Sequence, residues 1–303
     1  MNINVKKVDW HDKELVSAIS NLLNSSFGTS DNLYFRCEFL VWKHKKNPFG
    51  ESISYVAFDD DYNLLGLRTF LKWRFKINSE TYHAVQPVDT ATSPVARGKG
   101  IFSLLTRKAL GDVNNEIVFN RPNKNSFPGY LKMGWLYQGD IRFGIMPRLK
   151  AYTNKHIIGE RINEETFTHK NFSIHMNSDL RLRTETSPNF LKWRFLDIPG
   201  LNYKIIHVGE SLSLVYKIKK RLSLNELVIC DFFGEQGDVS KTELFSTLQS
   251  LLVNEKCHYA VVCFKDRPLG VASLFFKVPL KKMKVVSKSK NDFVFSLTDI
   301  EVF

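Results

Sequence analysis

The segment with the most chemistry in it runs from Val88 to Phe102, VDTATSPVARGKGIF. Its β-branched start reads as a strand. A short loop then holds Arg97, Gly98, Lys99 and Gly100, and the apolar spacing from Ile101 to Leu110 reads as a helix. Glycines at such a junction let several backbone N–H groups converge on one point, and the following helix adds the positive end of its dipole. That arrangement suits a pyrophosphate. A second polar set, Asn123, Ser126 and Tyr130, follows a short strand and precedes Gly134 and Trp135.

The elements that must position these residues come from a chain of 303 residues, long enough for two domains of ordinary size. Hydrophobic residues make up 43% and charged residues 24%, which describes a folded chain with ample core material rather than a disordered one. The formal net charge of +12 favours acidic partners such as phosphorylated cofactors, nucleotide-linked substrates, nucleic acid or an anionic surface. The four cysteines, Cys37, Cys230, Cys257 and Cys263, form no CxxC pair and no zinc spacing. Buried reduced thiols and no metal are expected. No segment reaches the roughly 18 uninterrupted apolar residues of a membrane span, and the N-terminus has no apolar leader. The expectation is no membrane insertion and a cytoplasmic protein.

Along the chain, Val5 to Trp10 reads as a strand, and Glu14 to Leu23 and Leu33 to His44 as helices. Ile53 to Phe58, Leu64 to Ile77 and Thr81 to Thr92 form a meander punctuated by polar turns. After the glycine loop and its helix come a strand at Glu116 to Asn120, a helix at Ser126 to Met133 and a strand pair from Trp135 to Met146. Strands in runs with inserted helices predict an α+β (mixed α/β) domain around a mixed, mostly antiparallel sheet.

After Arg148 the pattern restarts. Phe39-Leu40-x-Trp42-Lys43 with Pro48 matches Phe190-Leu191-x-Trp193-Arg194 with Pro199, every position offset by 151. A glycine, a tyrosine and a strand follow each match. Later segments also correspond: Leu224 to Phe233 with the long strand, Thr242 to Val253 with the helix, and Tyr259 to Phe264 with the next strand. The repeat predicts two units, residues 1–148 and 149–303. It fails at the glycine loop, where Gly234 to Asp238 brings two acidic residues that would repel a pyrophosphate. The two tryptophans are expected to anchor a helix to the sheet in each unit. Lys281, Lys282, Lys284, Lys288 and Lys290 read as a solvated basic hairpin, with phosphate contact as the functional alternative.

The strand–RGKG–helix unit, with Pro94 before it and Ile101 after it, resembles the acetyl-CoA motif of the GNAT N-acetyltransferase superfamily. Asn123 to Trp135 is similar to the next element of that family, N-x-x-[AS]-x-x-x-Y-x-K-x-G-[FW]. Phe102 departs from the small residue preferred there, and Pro128 and Gly129 depart from apolar helix residues. The resemblance implies two GNAT-like units, the second degenerate, and acetyl-CoA as co-substrate. It implies that Thr92, Arg97, Gly98, Lys99, Gly100, Ile101, Phe102, Asn123 and Ser126 contact the cofactor. Tyr130 would sit near its sulfur as general acid, and Asp89 is the candidate base, its alternative being a polar residue that holds the split in the sheet. Glu80, His83 and Gln86 are weaker candidates, as is the carboxylate that ends Asp299 to Phe303. The order of motifs also resembles bacterial surface-polysaccharide biosynthesis acetyltransferases, which implies a small-molecule amine acceptor, an amino sugar or its nucleotide-linked form, and no nucleic acid. A Fem-type transferase using aminoacyl-tRNA is the rival; those enzymes typically lack the RGxG loop. A non-catalytic CoA-binding module is the other. Gly100→Glu is expected to abolish acetyl-CoA binding without unfolding the second half; calorimetry checks this, and binding that survives the substitution removes the loop from the site.

Overall fold

In a computed structural model, the structure describes residues 2–114, 116–149, 156–168, 172, 180–234, 239–265 and 273–300. The strands are β1 Asn4–Lys7, β2 Ile53–Phe58, β3 Leu64–Ile77, β4 Glu80–Thr92, β5 Ile117–Asn120, β6 Leu136–Pro147 and β7 Glu160–Arg161. They continue as β8 Arg183–Thr184, β9 Lys204–Val208, β10 Leu212–Arg221, β11 Leu224–Gly234, β12 Tyr259–Lys265, β13 Phe276–Ser287 and β14 Phe295–Ser296. The α-helices are α1 Lys13–Ser26, α2 Cys37–His44, α3 Ile101–Gly111, α4 Phe127–Lys132, α5 Pro188–Phe195 and α6 Lys241–Asn254. The architecture is the expected mixed α/β.

One large sheet runs β1-β2-β3-β4-β5-β13-β6-β12-β11-β10-β9-β7. The order reads alike from both ends. Each half has an antiparallel meander, then a parallel pair, β4 with β5 and β11 with β12. At the centre the halves exchange a strand. β13, late in the chain, lies between β5 and β6, while β6, from the first half, pairs with β12. The basic segment at 281–284 is therefore part of a central strand rather than a hairpin, although Lys281 and Lys282 stay exposed to solvent. Lys282 meets Asp140 of β6 at 2.8 Å. Residues 136–147 likewise form one continuous strand rather than a pair, because two long partners flank it. The run Leu33 to His44 breaks at Arg36, whose backbone is extended (φ −63°, ψ 146°), into a short 3₁₀ turn and α2. The first strand is shorter than expected and ends at Lys7. Three cysteines are buried and Cys37 is exposed.

The two repeated tryptophans meet each other. Trp42 and Trp193 stack at 4.6 Å between centroids, 13° from parallel. Each indole N–H donates to the other's backbone carbonyl, at 2.8 and 2.9 Å. The expected helix-to-sheet anchors thus tie α2 to α5 across the halves, inside a core that also takes in Phe75, Phe119, Phe293 and Phe295. Burying an indole both removes apolar area from water and requires a partner for its N–H, and this pairing does both. Trp42→Ala and Trp193→Ala are each expected to cost about 3–5 kcal/mol in denaturant unfolding. The double variant should fall short of the sum, because the two residues share one contact.

Candidate active site

The site begins where β4 and β5 part. They pair at only two positions, Ala84 with Ile117 and Val85 with Val118. Pro87 lies just beyond. The β3–β4 register passes unbroken through Phe70 and Pro87, so the missing N–H falls on the β5 side and removes a rung there. Two residues on, the β3–β4 register shifts, and Asp89 takes φ +42°, a left-handed value that Asp tolerates better than most residues. The result is a cleft between the diverging C-terminal ends of two parallel strands.

The glycine loop sits at the end of β4. Gly98 and Gly100 have φ of +78° and +77°, with open space where a Cβ would stand. Glycine is needed there for backbone conformation, and the loop stays accessible from outside. Gly100 caps α3 without any side-chain hydrogen bond, so no side chain claims the N–H groups of its first turn. Arg97 and Lys99 are exposed beside it, and Thr92 ends β4. Ile101 is buried and packs α3 onto β3. A Cβ on Gly66 would lie 2.7 Å from it, so a glycine is required opposite. Phe102, the departure from the family pattern, is 42% exposed, and the Arg68 guanidinium lies 4.9 Å from its ring.

α4 starts just beyond the end of β5. Asn123 Oδ1 accepts from the Ser126 N–H at 2.9 Å and from the Ser126 hydroxyl at 3.0 Å, so both residues shape this turn. Tyr130 is buried edge-on against Trp135, at 4.8 Å. Its hydroxyl accepts from Asn120 Nδ2 at 2.6 Å and interacts electrostatically with Arg68, whose Nη1 donates to Thr90 Oγ1 at 2.5 Å. With the Asn120 amide donating to its oxygen, the phenolic O–H remains a donor that can point elsewhere. Arg68 and Asn120 are site residues that sequence reasoning missed. Arg68 carried no signal, because nothing local says that a strand arginine is buried.

Asp89 is not an uncommitted base. Its Oδ2 accepts from Lys43 Nζ at 2.5 Å and faces His44 Nε2 at 2.8 Å, and all three side chains are buried. Burial alone would raise the carboxyl, but Lys43 and His44 outweigh it and hold it well below the usual carboxylate range. Such a group binds a proton poorly, and the geometry favours the role of holding the split. Lys43 and His44 end α2, where a helix C-terminus favours positive charge. Trp10 stacks on His44 at 4.5 Å, and Ser52 meets Nδ1 at 3.0 Å. The clue in the sequence was the repeat itself, whose Lys43 and Arg194 are both buried cations. Glu80 and His83 are exposed near the start of β4, about 20–30 Å along the strand from Asp89. Gln86 is buried in the cleft. The cleft holds about 340 Å³ and is lined on its polar side by Lys43, Gln86, Asp89 and Arg121 and on another by Tyr34, Phe35 and Ile300.

The corresponding cleft of the second half is filled. After Val228 and Val261, β11 and β12 part in the same way. β14 pairs with β12 in the gap, and the Ser296 hydroxyl donates to Asp231 of β11 at 2.6 Å. Arg194 donates to the carbonyls of Thr298 and Ile300, at 3.0 Å each. α6, the counterpart of α3, is capped by Ser240 and carries Glu243 in its first turn. Residues 235–238 of the acidic loop and 301–303 of the C-terminus lie outside the described residues.

His44 titrates below its ordinary range because burial disfavours the imidazolium more than Asp89 recovers it. As pH falls below about 6.5, the unfolded chain therefore takes up this proton before the folded one, and stability is lost. Asp89, also depressed, adds to the loss only near and below about pH 4. The melting temperature is expected to fall between about pH 7 and about pH 5, and less so in His44→Gln. Thermal melts followed by circular dichroism check this; equal slopes in the two proteins would remove His44 as the cause.

Residues 9–137 match the family model for the acetyltransferase (GNAT) domain. No curated protein matches the chain. A probable N-acyltransferase from Enterococcus faecalis superposes with a TM-score of 0.66 at 13% identity, over 95% of this chain and 72% of that one. A GCN5-related N-acetyltransferase from Anabaena variabilis gives 0.65 at 12% identity, over 94% and 72%. The Saccharomyces cerevisiae N-myristoyltransferase with bound myristoyl-CoA gives 0.62 at 10% identity, over 95% and 84%. Among the described residues no helix is long and apolar enough to cross a membrane, and no cluster of three or more His, Cys, Asp or Glu side chains is placed to hold a metal ion. By sequence, then, residues 9–137 are similar to a GNAT acetyltransferase domain, and nearly the whole chain shares the fold of the GCN5-related N-acetyltransferases.

Proposed function

We propose that this protein transfers an acetyl group from acetyl-CoA to a primary amine, on an amino sugar or its nucleotide-linked form. It is read as a tandem of two GNAT-like units, residues 1–148 and 149–303, with the chemistry in the first. The observation that carries this reading is a convergence at one end of the β4–β5 cleft. The uncapped start of α3 and its glycine loop lie at the end of β4, and Tyr130 lies in the helix that follows β5. The symmetric strand order supports the tandem reading. The filled second cleft and the capped α6 support a single working unit.

Acetyl-CoA, when bound, supplies an activated thioester. The N–H groups of Gly98 and Gly100 and of the first turn of α3 suit its pyrophosphate, with Arg97 and Lys99 adding charge. Thr92, Ile101, Phe102, Asn123 and Ser126 border the same path. Backbone N–H groups of β4 beyond Val85 have no strand partner on the β5 side and can stabilise an oxyanion in the cleft. Tyr130 gives its proton to the departing thiolate. Asp89 holds Lys43 and His44 in place, and the amine's proton leaves through the open mouth of the cleft. A cleft of about 340 Å³ with a polar floor and an aromatic wall supports an acceptor of sugar size. The reading also places the protein in the cytoplasm, where acetyl-CoA is available.

Calorimetry with acetyl-CoA and with myristoyl-CoA, followed by thiol release over a panel of amino sugars, polyamines and peptides, tests the proposal. Absence of CoA-ester binding would overturn it, and binding without transfer across the panel would favour a non-catalytic module. Tyr130→Phe is expected to lower kcat by about 10²–10⁴-fold while acetyl-CoA affinity stays the same. Unchanged turnover in the folded variant would end the acid assignment.

A further inference from the structure

Arg121 follows directly on β5, at the mouth of the cleft. It reaches across the gap, and its Nη2 donates to Gln86 Oε1 on β4 at 3.0 Å. Its Nε and Nη1 are shielded from solvent and have no hydrogen-bond partner. Among the described residues no carboxylate lies within ion-pair distance of it. The cleft's own acid, Asp89, is held by Lys43 and His44. Asp299, the acid that acts on Arg121 at longer range, accepts instead from the hydroxyl of Ser296, at 3.0 Å. Burial and the nearby Arg194 disfavour the charge, which pushes Arg121 down to about 10, still cationic at neutral pH. A buried guanidinium normally has its donors satisfied and its charge matched. Here two donors lack an internal partner, on a side chain that lines a cavity a small molecule can enter.

We infer that Arg121 binds an anionic group of the acceptor, so that the amine substrate carries a carboxylate or a phosphate. The inference deepens the acyltransferase reading of this cleft and rests on it for the identity of the ligand. It also accounts for Gln86, which fixes one edge of the guanidinium and leaves the rest of it to the ligand. A planar guanidinium suits either oxyanion, and charge-assisted hydrogen bonds out of solvent are the strong ones.

The test measures binding directly, so that it does not depend on turnover. Glycine is compared with glycinamide, and glucosamine 6-phosphate with glucosamine, by calorimetry on the full chain. Wild type, Arg121→Met and Arg121→Lys are used. In at least one pair the anionic member is expected to bind about tenfold tighter or better, and the pair that shows it tells carboxylate from phosphate. Arg121→Met should bring the two members to within about twofold, and Arg121→Lys should keep part of the preference. A residue that only supports the fold would lower the melting temperature when replaced. A guanidinium lacking internal partners predicts a melting temperature in Arg121→Met that is unchanged or raised. Equal binding within both pairs, a preference that survives Arg121→Met, or an unfolded Arg121→Met would overturn the inference. Acetyl-CoA binding to the wild type is read separately. If it fails while the Arg121-dependent preference stands, the anion site holds and the acyltransferase reading falls. If acetyl-CoA binds and neutral and anionic amines compete equally, the reverse holds.

Discussion

The candidate site depends on two parallel strands that pair at two positions and then diverge. Parallel pairing between β4 and β5 stops after Val85 and Val118, where Pro87 and the left-handed Asp89 interrupt β4. The divergence leaves backbone groups on two facing edges without strand partners. Buried polar groups must find partners, so a gap of this kind is filled by protein, by water or by a ligand. In the first half Gln86 and Arg121 bridge the gap at one point and leave a cavity. In the second half the chain's own residues 295–300 fill it. One backbone geometry thus produces an open cleft in one half and a filled core in the other.

The two halves cannot be separated without cutting the sheet. β13 completes the first half and β6 completes the second, and the two strands lie against each other at the centre. Trp42 and Trp193 add a reciprocal contact in which each indole N–H satisfies the carbonyl of the other residue. The open cleft is therefore held between elements from both ends of the chain. Ile300 lines it, although it lies 211 positions from Asp89. A rigid frame of this kind fixes Arg68 on β3 and holds Arg121 and Tyr130 in the segment that follows β5.

Positions 151 residues apart hold different partners. Lys43 is buried and pairs with Asp89 beside the cleft. Arg194, at the same place in the repeat, is buried and gathers the carbonyls of residues 297, 298 and 300. An ammonium suits a single carboxylate, while a planar guanidinium can serve several carbonyls at once. Both positions hold a buried cation, and its partners differ between the open cleft and the filled one.

The amino-acid sequence by itself determined the local structure. Alternation and polar turns placed β2 and β3 to the residue and α3 to within one, because these signals act over a few neighbours. The RGKG loop was legible for the same reason: its conformation needs glycine at two nearby positions. The 151-residue echo was legible as well, but as two anchors rather than as one contact. Only the tertiary structure decided which strand fills each central slot, that a lysine-rich segment forms a central strand of the sheet, and that the C-terminal segment closes the second cleft. It alone brought Lys43 and His44 to Asp89, and Arg68 and Asn120 to Tyr130. Strand partners far apart in sequence are chosen by how whole surfaces pack, and that choice leaves no periodic trace in either strand. The chemistry of a buried charge depends on the partner that tertiary packing sets beside it, and the sequence names the charge without naming the partner.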